Sequence, residues 1–185
     1  MRKGDEAPPV RVGLDVRLAR AAASVVQWFG LGPHESYVDR HSSARLCVWS
    51  GRVSEQTTRY VRPQENGNKF GTRWMVLSDD SGSRGTIIVA AGPPLSLGCH
   101  HHLPEDFETV PESRTPQYRH AADVVERDLT ALTIDGAQAG VGGIDSYGSL
   151  LHHQQRRAAP IMTVTMIITI FQVGLTTAAA ASPLR

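Results

Sequence analysis

The sequence predicts an all-β fold, an antiparallel sandwich or barrel. Three observations carry that prediction. Short runs either alternate apolar and polar residues or concentrate β-branched and aromatic ones, they recur at close spacing, and turns rich in Gly, Pro and Asn separate them. Apolar residues make up 41% of the 185 and charged residues 20%, which is enough to bury a core and too little charge to keep the chain unfolded.

The elements follow in order. In the first run Val10, Val12, Leu14, Val16 and Leu18 fall on one face of a strand, with Arg11, Asp15 and Arg17 on the other. ASVVQWFG (23–30) reads as a second strand ending at Gly30. Further strands are expected in RLCVWSGRV (45–53), TRYVRPQ (58–64), TRWMVLSD (72–79), RGTIIVAAG (84–92) and DLTALTIDGAQAG (128–140). Turns are expected at Glu65–Asn68, Asp79–Gly85 and Gly92–Leu95, where ENGN, DDSGSRG and GPPL stand. AADVVERDL (121–129) could add a helical turn or two.

The last segment has no charged residue from Ala158 to Ser182, long enough to cross a bilayer. Yet Met162, Val164, Met166, Ile168 and Ile170 line one face while Thr163, Thr165 and Thr169 interrupt the other. That is strand alternation in a β-branched run, so a strand is expected there and not a membrane span.

A formal net charge of +1 gives no long-range steering, and Lys and Arg form no stripe, so neither nucleic acid nor membrane is an expected partner. Cys47 and Cys99 are too few for a disulfide framework or a four-cysteine zinc site. The charged, proline-containing start MRKGDEAPPV lacks the apolar core of a secretory signal, and the expected location is the cytoplasm. CHHH at Cys99–His102 sets metal-binding residue types side by side, but neighbours on a strand point to opposite faces; a polar loop is expected instead. His152 and His153 have the same weakness.

Four stretches carry more information. They are VRVGL (10–14), WFGLGPHESYVDR (28–40), YVRPQENGNKFGTRWMVL (60–77) and GVGGIDSYG (140–148). Together and in this order they resemble the C-terminal sandwich domain of β-galactosidases of glycoside hydrolase family 2. The resemblance implies an antiparallel β-supersandwich of the galactose mutarotase-like kind, here incomplete. On that reading residues 1–8 are a disordered lead, 9–150 the sandwich, 151–174 a divergent terminal strand region and 175–185 a flexible tail. It further implies that His34, Glu35, Tyr37, Asp39 and Arg40 hold a loop in shape. Glu65, Asn66 and Asp145 are expected to make structural hydrogen bonds.

In the resembled family both catalytic glutamates lie in a separate barrel, a fold that takes about 250 residues. No catalytic residue is therefore expected here, and the magnesium and sodium of the complete enzyme are expected to be held elsewhere. One sugar contact carries over. Tyr147 stands where the family has the Trp of Asp-Asp-Ser-Trp, an apolar platform at the mouth of the active site, while Ile144 replaces the first Asp. The expected function is a C-terminal portion of a β-galactosidase, truncated and acting on a galactoside only with missing domains or a barrel-bearing chain. A stand-alone carbohydrate-binding module and the small subunit of a split β-galactosidase are the alternatives.

Overall fold

The computed structural model of the chain describes residues 11–60, 66–109, 117–118, 124–138, 140–141 and 166–172. These hold the strands β1 (Arg11–Ala19), β2 (Val25–Gly32), β3 (Arg45–Arg52), β4 (Lys69–Thr72), β5 (Trp74–Ser78) and β6 (Arg84–Ala90). They continue with β7 (Leu95–His100), β8 (Glu108–Thr109), β9 (Gln117–Tyr118), β10 (Leu129–Gln138) and β11 (Met166–Gln172). Helical structure among the described residues is confined to single 3-10 turns at Arg20–Ala22, Val53–Glu55 and Pro104–Phe107.

Two antiparallel sheets make a β-sandwich. One has four strands in the order β1-β10-β7-β4, the other five in the order β11-β6-β5-β2-β3, and β8 pairs with β9 alone. Period-2 alternation sends one set of side chains from each sheet into the space between. From the five-stranded sheet come Val26, Trp28, Met75, Leu77 and Ile88; from the four-stranded sheet come Leu97, Cys99, Leu132 and Ile134, all fully or almost fully buried. Register keeps these residues level: Leu132 faces Cys99 and Ile134 faces Leu97 across β10 and β7.

β1 is only half covered. Val16 and Leu18 pack on the core, but Val12 and Leu14 remain 48% and 52% exposed, because β1 is the edge of its sheet and a register shift falls between Val12 and Gly13. The strand expected at 58–64 is not formed over Thr58–Tyr60, and the rest of that stretch lies outside the described residues. No helical turn forms over 124–128 of the AADVVERDL run, and 121–123 lie outside as well. β4 and β7 were not expected. All six residues of β7 are buried, with Leu95, Leu97 and Cys99 on the core side and Ser96, Gly98 and His100 on the other. Cys99 and His100 thus end a buried strand, and His101 and His102 are buried directly after it, where a polar loop was expected.

β11 pairs antiparallel with β6, and Ile167, Ile168 and Ile170 on it are exposed. Residues 162–165 of that run lie outside the described residues. Among the described residues no helix is long and apolar enough to cross a membrane.

The contrast between core and edge sets a stability test. Ile88 is 0% exposed and Ile167 56%. Ile88→Ala should cost about 2–5 kcal/mol by leaving a cavity, and Ile167→Ala under about 1 kcal/mol, compared by urea denaturation midpoints.

Candidate functional site

The loop after β2 is built around one buried carboxylate. β2 ends at Gly32, where a Cβ would press on the indoles of Trp28 and Trp49 at 3.0 Å or less. A cis Gly32–Pro33 peptide then turns the chain, and Glu35 drops into the protein with 4% exposure. Its Oε2 accepts the Gly67 amide at 2.9 Å and the Tyr37 hydroxyl at 3.4 Å. Its Oε1 accepts the Tyr60 hydroxyl and pairs with Arg40 Nη1 at 3.0 Å. Burial and the bond to Glu35 push the Tyr60 phenol upward, so it stays a donor. The Arg40 guanidinium also lies 5.7 Å from the centre of the Tyr60 ring.

The backbone beside Glu35 is stitched to the segment before β4. The Ser36 amide donates to Asn68 O and the Asn68 side-chain amide donates back to Ser36 O, both at 2.8 Å. Ser36 Oγ accepts the Phe70 amide at 3.0 Å. Asn66 closes its own loop, accepting the Thr58 amide at 2.8 Å and donating to Thr58 O at 2.6 Å. Gly67 has φ +67, and a Cβ on it would meet His100 Cε1 at 2.2 Å and Gln56 O at 2.4 Å. Only glycine satisfies both the conformation and the space, which gives the Asn-Gly pair its physical reason.

Two further buried groups, Lys69 and His100, lie beside this layer. Lys69 is 2% exposed, with Nζ 4.9 Å from the centre of the Trp28 ring and 3.4 Å from Pro33 O. Burial pushes its ammonium down to about 8, against the pull of Cys99 and Glu35. His100 places Nε2 2.8 Å from Asn66 O and Nδ1 3.3 Å from Thr57 Oγ1, so Nε2–H donates and Nδ1 accepts in a neutral ring. Its ring lies 4.8 Å from that of His102. Burial and the neighbouring His102 push His100 down to about 3, and burial pushes His102 down to about 4.

Asp39 reaches a different motif. Its Oδ1 accepts the Val141 amide at 3.1 Å, and its carboxylate occupies the space a Cβ on Gly140 would need, at a residue with φ +86. The Gly-Pro loop and the start of GVGGIDSYG are therefore in direct contact. His34 is peripheral, exposed and 2.9 Å from Ser43 Oγ. Glu35, Tyr37, Asn66 and Arg40 thus come together, Asp39 acts at one side, and Glu65, Asp145 and Tyr147 lie outside the described residues. Tyr60 and Lys69 lie in the quoted 60–77 stretch and His100 in the CHHH run, but their roles were not legible, since their partners lie 25 to 43 residues away.

With four donors on its two oxygens, the Glu35 carboxylate is held in place by the loops around it. The other buried carboxylate among the described residues, Asp135, is 2.7 Å from Arg11 Nη2. Burial raises its pKa against the pull of that arginine. No group of three or more His, Cys, Asp or Glu among the described residues could hold a metal ion.

Two outcomes follow from this geometry. Glu35→Gln removes the charge that Arg40 and Tyr60 face and should destabilise the chain by about 3 kcal/mol, read from urea midpoints. The histidines make stability fall in acid. Their folded values of about 3 and about 4 lie below the ordinary 6.5, so the unfolded chain binds more protons. Stability is at its full value above about pH 6.5 and is lost as pH falls towards 4 and then 3. The melting temperature should therefore drop between pH 7.5 and 5, and His100→Asn should flatten that slope in thermal melts.

The sequence is similar to known proteins. Residues 2–168 match the family described as beta galactosidase small chain. A β-galactosidase of Priestia megaterium is 36% identical over 132 residues, 71% of this chain and 12% of that protein. One from Halalkalibacterium halodurans is 31% identical over 129 residues, 70% of this chain and 12% of the relative. One from Erwinia tasmaniensis is 34% identical over 169 residues, 84% of this chain and 14% of the relative. The chain thus spans 12–14% of the length of these curated relatives. On the family match and on these identities, the chain belongs to the β-galactosidase small-chain family.

Proposed function

We propose that this chain works as the non-catalytic sandwich part of a β-galactosidase, and that a barrel-bearing polypeptide supplies the chemistry. The single observation that carries the reading is the family match over residues 2–168, within relatives that the chain spans for only 12–14% of their length. Retaining glycoside hydrolysis needs a carboxylic acid and a carboxylate nucleophile about 5–5.5 Å apart. Glu35 and Asp135 do not fit either role, because each is committed to an arginine. The acid and the nucleophile then come from the barrel, together with the ligands for magnesium and sodium.

On this reading the residues around Glu35 have a structural task. Glu35, Tyr37, Arg40 and Asn66 fix the loops at one end of the sandwich, and His34 ties down the rim. Asp39 anchors the start of the glycine-rich stretch, from which Asp145 and Tyr147 follow in the sequence. Tyr147 offers an aromatic face to the C–H bonds of a terminal galactosyl unit while excluding water. The complete enzyme would act in the cytoplasm.

The test is a β-galactosidase assay of the purified chain with and without a barrel-bearing polypeptide, on a chromogenic galactoside. The chain alone should give no turnover and the assembled protein should. Turnover by the chain alone, or none from an assembled complex, sinks the reading. A saturable galactoside isotherm for the chain alone would instead support a stand-alone binding module. In the assembled enzyme, Tyr147→Ala should cost about 1 kcal/mol in kcat/KM and Tyr147→Trp should preserve it. Unchanged kcat and KM in the alanine variant would remove the sugar contact.

A further inference from the structure

The two sheets differ on the faces they turn away from each other. Across the four-stranded sheet the outward rows are polar: Asp15 stands level with Thr133, Arg17 with Ala131 and His100, and Asp135 with Ser96. Asp135, Ser96, His100 and Ala131 are nonetheless buried, so this polar face is already covered within the chain. The five-stranded sheet differs. Trp28, Met75 and Ile88 point into the core, so their neighbours in sequence, Phe29, Trp74 and Val89, point outward.

Register places those outward residues in one row. Val48 of β3 faces Phe29 of β2, which faces Trp74 of β5, then Val89 of β6, then Ile167 of β11. One step along, Val76 faces Ile87. At the far corner the Phe171 ring lies across Gly85, 2.7 Å from where its Cβ would be. Phe29 and Trp74 pack on each other with ring centres 6.3 Å apart and are half-buried by that contact, whereas Val48 and Ile167 are 49% and 56% exposed at the two edge strands. An apolar row crossing all five strands is too continuous for a solvated sheet face and is typical of a sheet packed on both sides. Arg73 sets the margin, its guanidinium 5.4 Å from the centre of the Phe29 ring.

We infer that the outward face of the five-stranded sheet, from Val48 to Ile167, seats an apolar layer of the remaining β-galactosidase polypeptide, with an acidic group set against Arg73. This rests on the function proposed above. The occupant follows from three facts together. Only one of the two outward faces is apolar, so one cover is needed and not two. The relatives extend far beyond the matched segment, which is 12–14% of their length, so a covering layer is available within the same enzyme. An aromatic pair under a guanidinium, flanked by branched aliphatic residues on both sides, suits a protein layer better than a sugar, which would need hydrogen-bonding groups along the row.

The experiment grafts this chain into the Priestia megaterium β-galactosidase in place of its matching 132 residues and compares the full-length chimera with the chain alone. Both carry Val48→Cys with Cys47→Ser; Cys99 is buried, so alkylation of the introduced thiol is read separately by peptide mass spectrometry. Alkylation should be at least tenfold slower in the chimera than in the chain alone. Equal rates overturn the inference, even in a chimera that hydrolyses galactosides and so upholds the proposed function. An inactive chimera in which the introduced thiol is protected does the reverse, supporting the seat while the functional reading fails. The chain alone gives a second measurement. It should bind the apolar dye ANS, and Val48→Asp with Val89→Asp should remove most of that signal. A chain that binds no dye, or whose binding those changes leave intact, overturns the inference whether or not the chimera folds. So does a chain that light scattering shows to be a dimer with the introduced thiol already protected, because the occupant is then a second copy.

Discussion

A carboxylate moved out of water must be met by donors or it costs several kcal/mol, and Glu35 makes that demand at the end of the sandwich. The donors come from separate places in the chain: Tyr37 and Arg40 from its own loop, Tyr60 from the segment after β3, and the Gly67 amide from the turn before β4. Meeting the demand therefore fixes three stretches against one another in a single act. The paired amide bonds of Ser36 and Asn68 then follow from proximity already imposed. Lys69 is buried nearby, its ammonium over the Trp28 ring.

This explains why a polar loop in this protein behaves as part of the core. Tyr37 is 0% exposed and Ser36 likewise, figures ordinarily met in apolar strands. The polar groups are buried because they satisfy each other, and the cost of a half-made set would exceed that of none. It also explains the histidine cluster on the adjoining strand. His100 must stay neutral to give Asn66 a donor and take one from Thr57, so the same loop that needs a charge at Glu35 excludes one a few residues away.

Long alternating or β-branched runs were legible as strands, and short strands beside turns were not. β5, β6 and β10 lie within the runs that alternation or β-branched content marks, β2 runs on to Gly32 where an end at Gly30 was expected, and ENGN marks the turn at Gly67 with its positive φ. β7 and β4 were not read because each is short and begins at or directly after an expected turn, Gly92–Leu95 and Glu65–Asn68. At Thr58–Tyr60 the side-chain pattern resembles a strand, but Tyr60 is drawn to Glu35 and the backbone makes no ladder. The stretch 28–40 contains the loop that carries Glu35. Which groups would meet there depends on partners 25 and 32 residues apart, a distance over which sequence pattern carries no information.

The contact between Asp39 and the Gly140–Val141 backbone has a further consequence, in how the two layers come together. The point at which the chain leaves β10 is pinned to the rigid end of the sandwich by a single carboxylate, and that carboxylate belongs to a loop itself locked in place. A change at Asp39 would let go of the strand exit it holds, and because β11 follows in the sequence and forms an edge of the five-stranded sheet, one aspartate at the end of one layer bears on the assembly of the other.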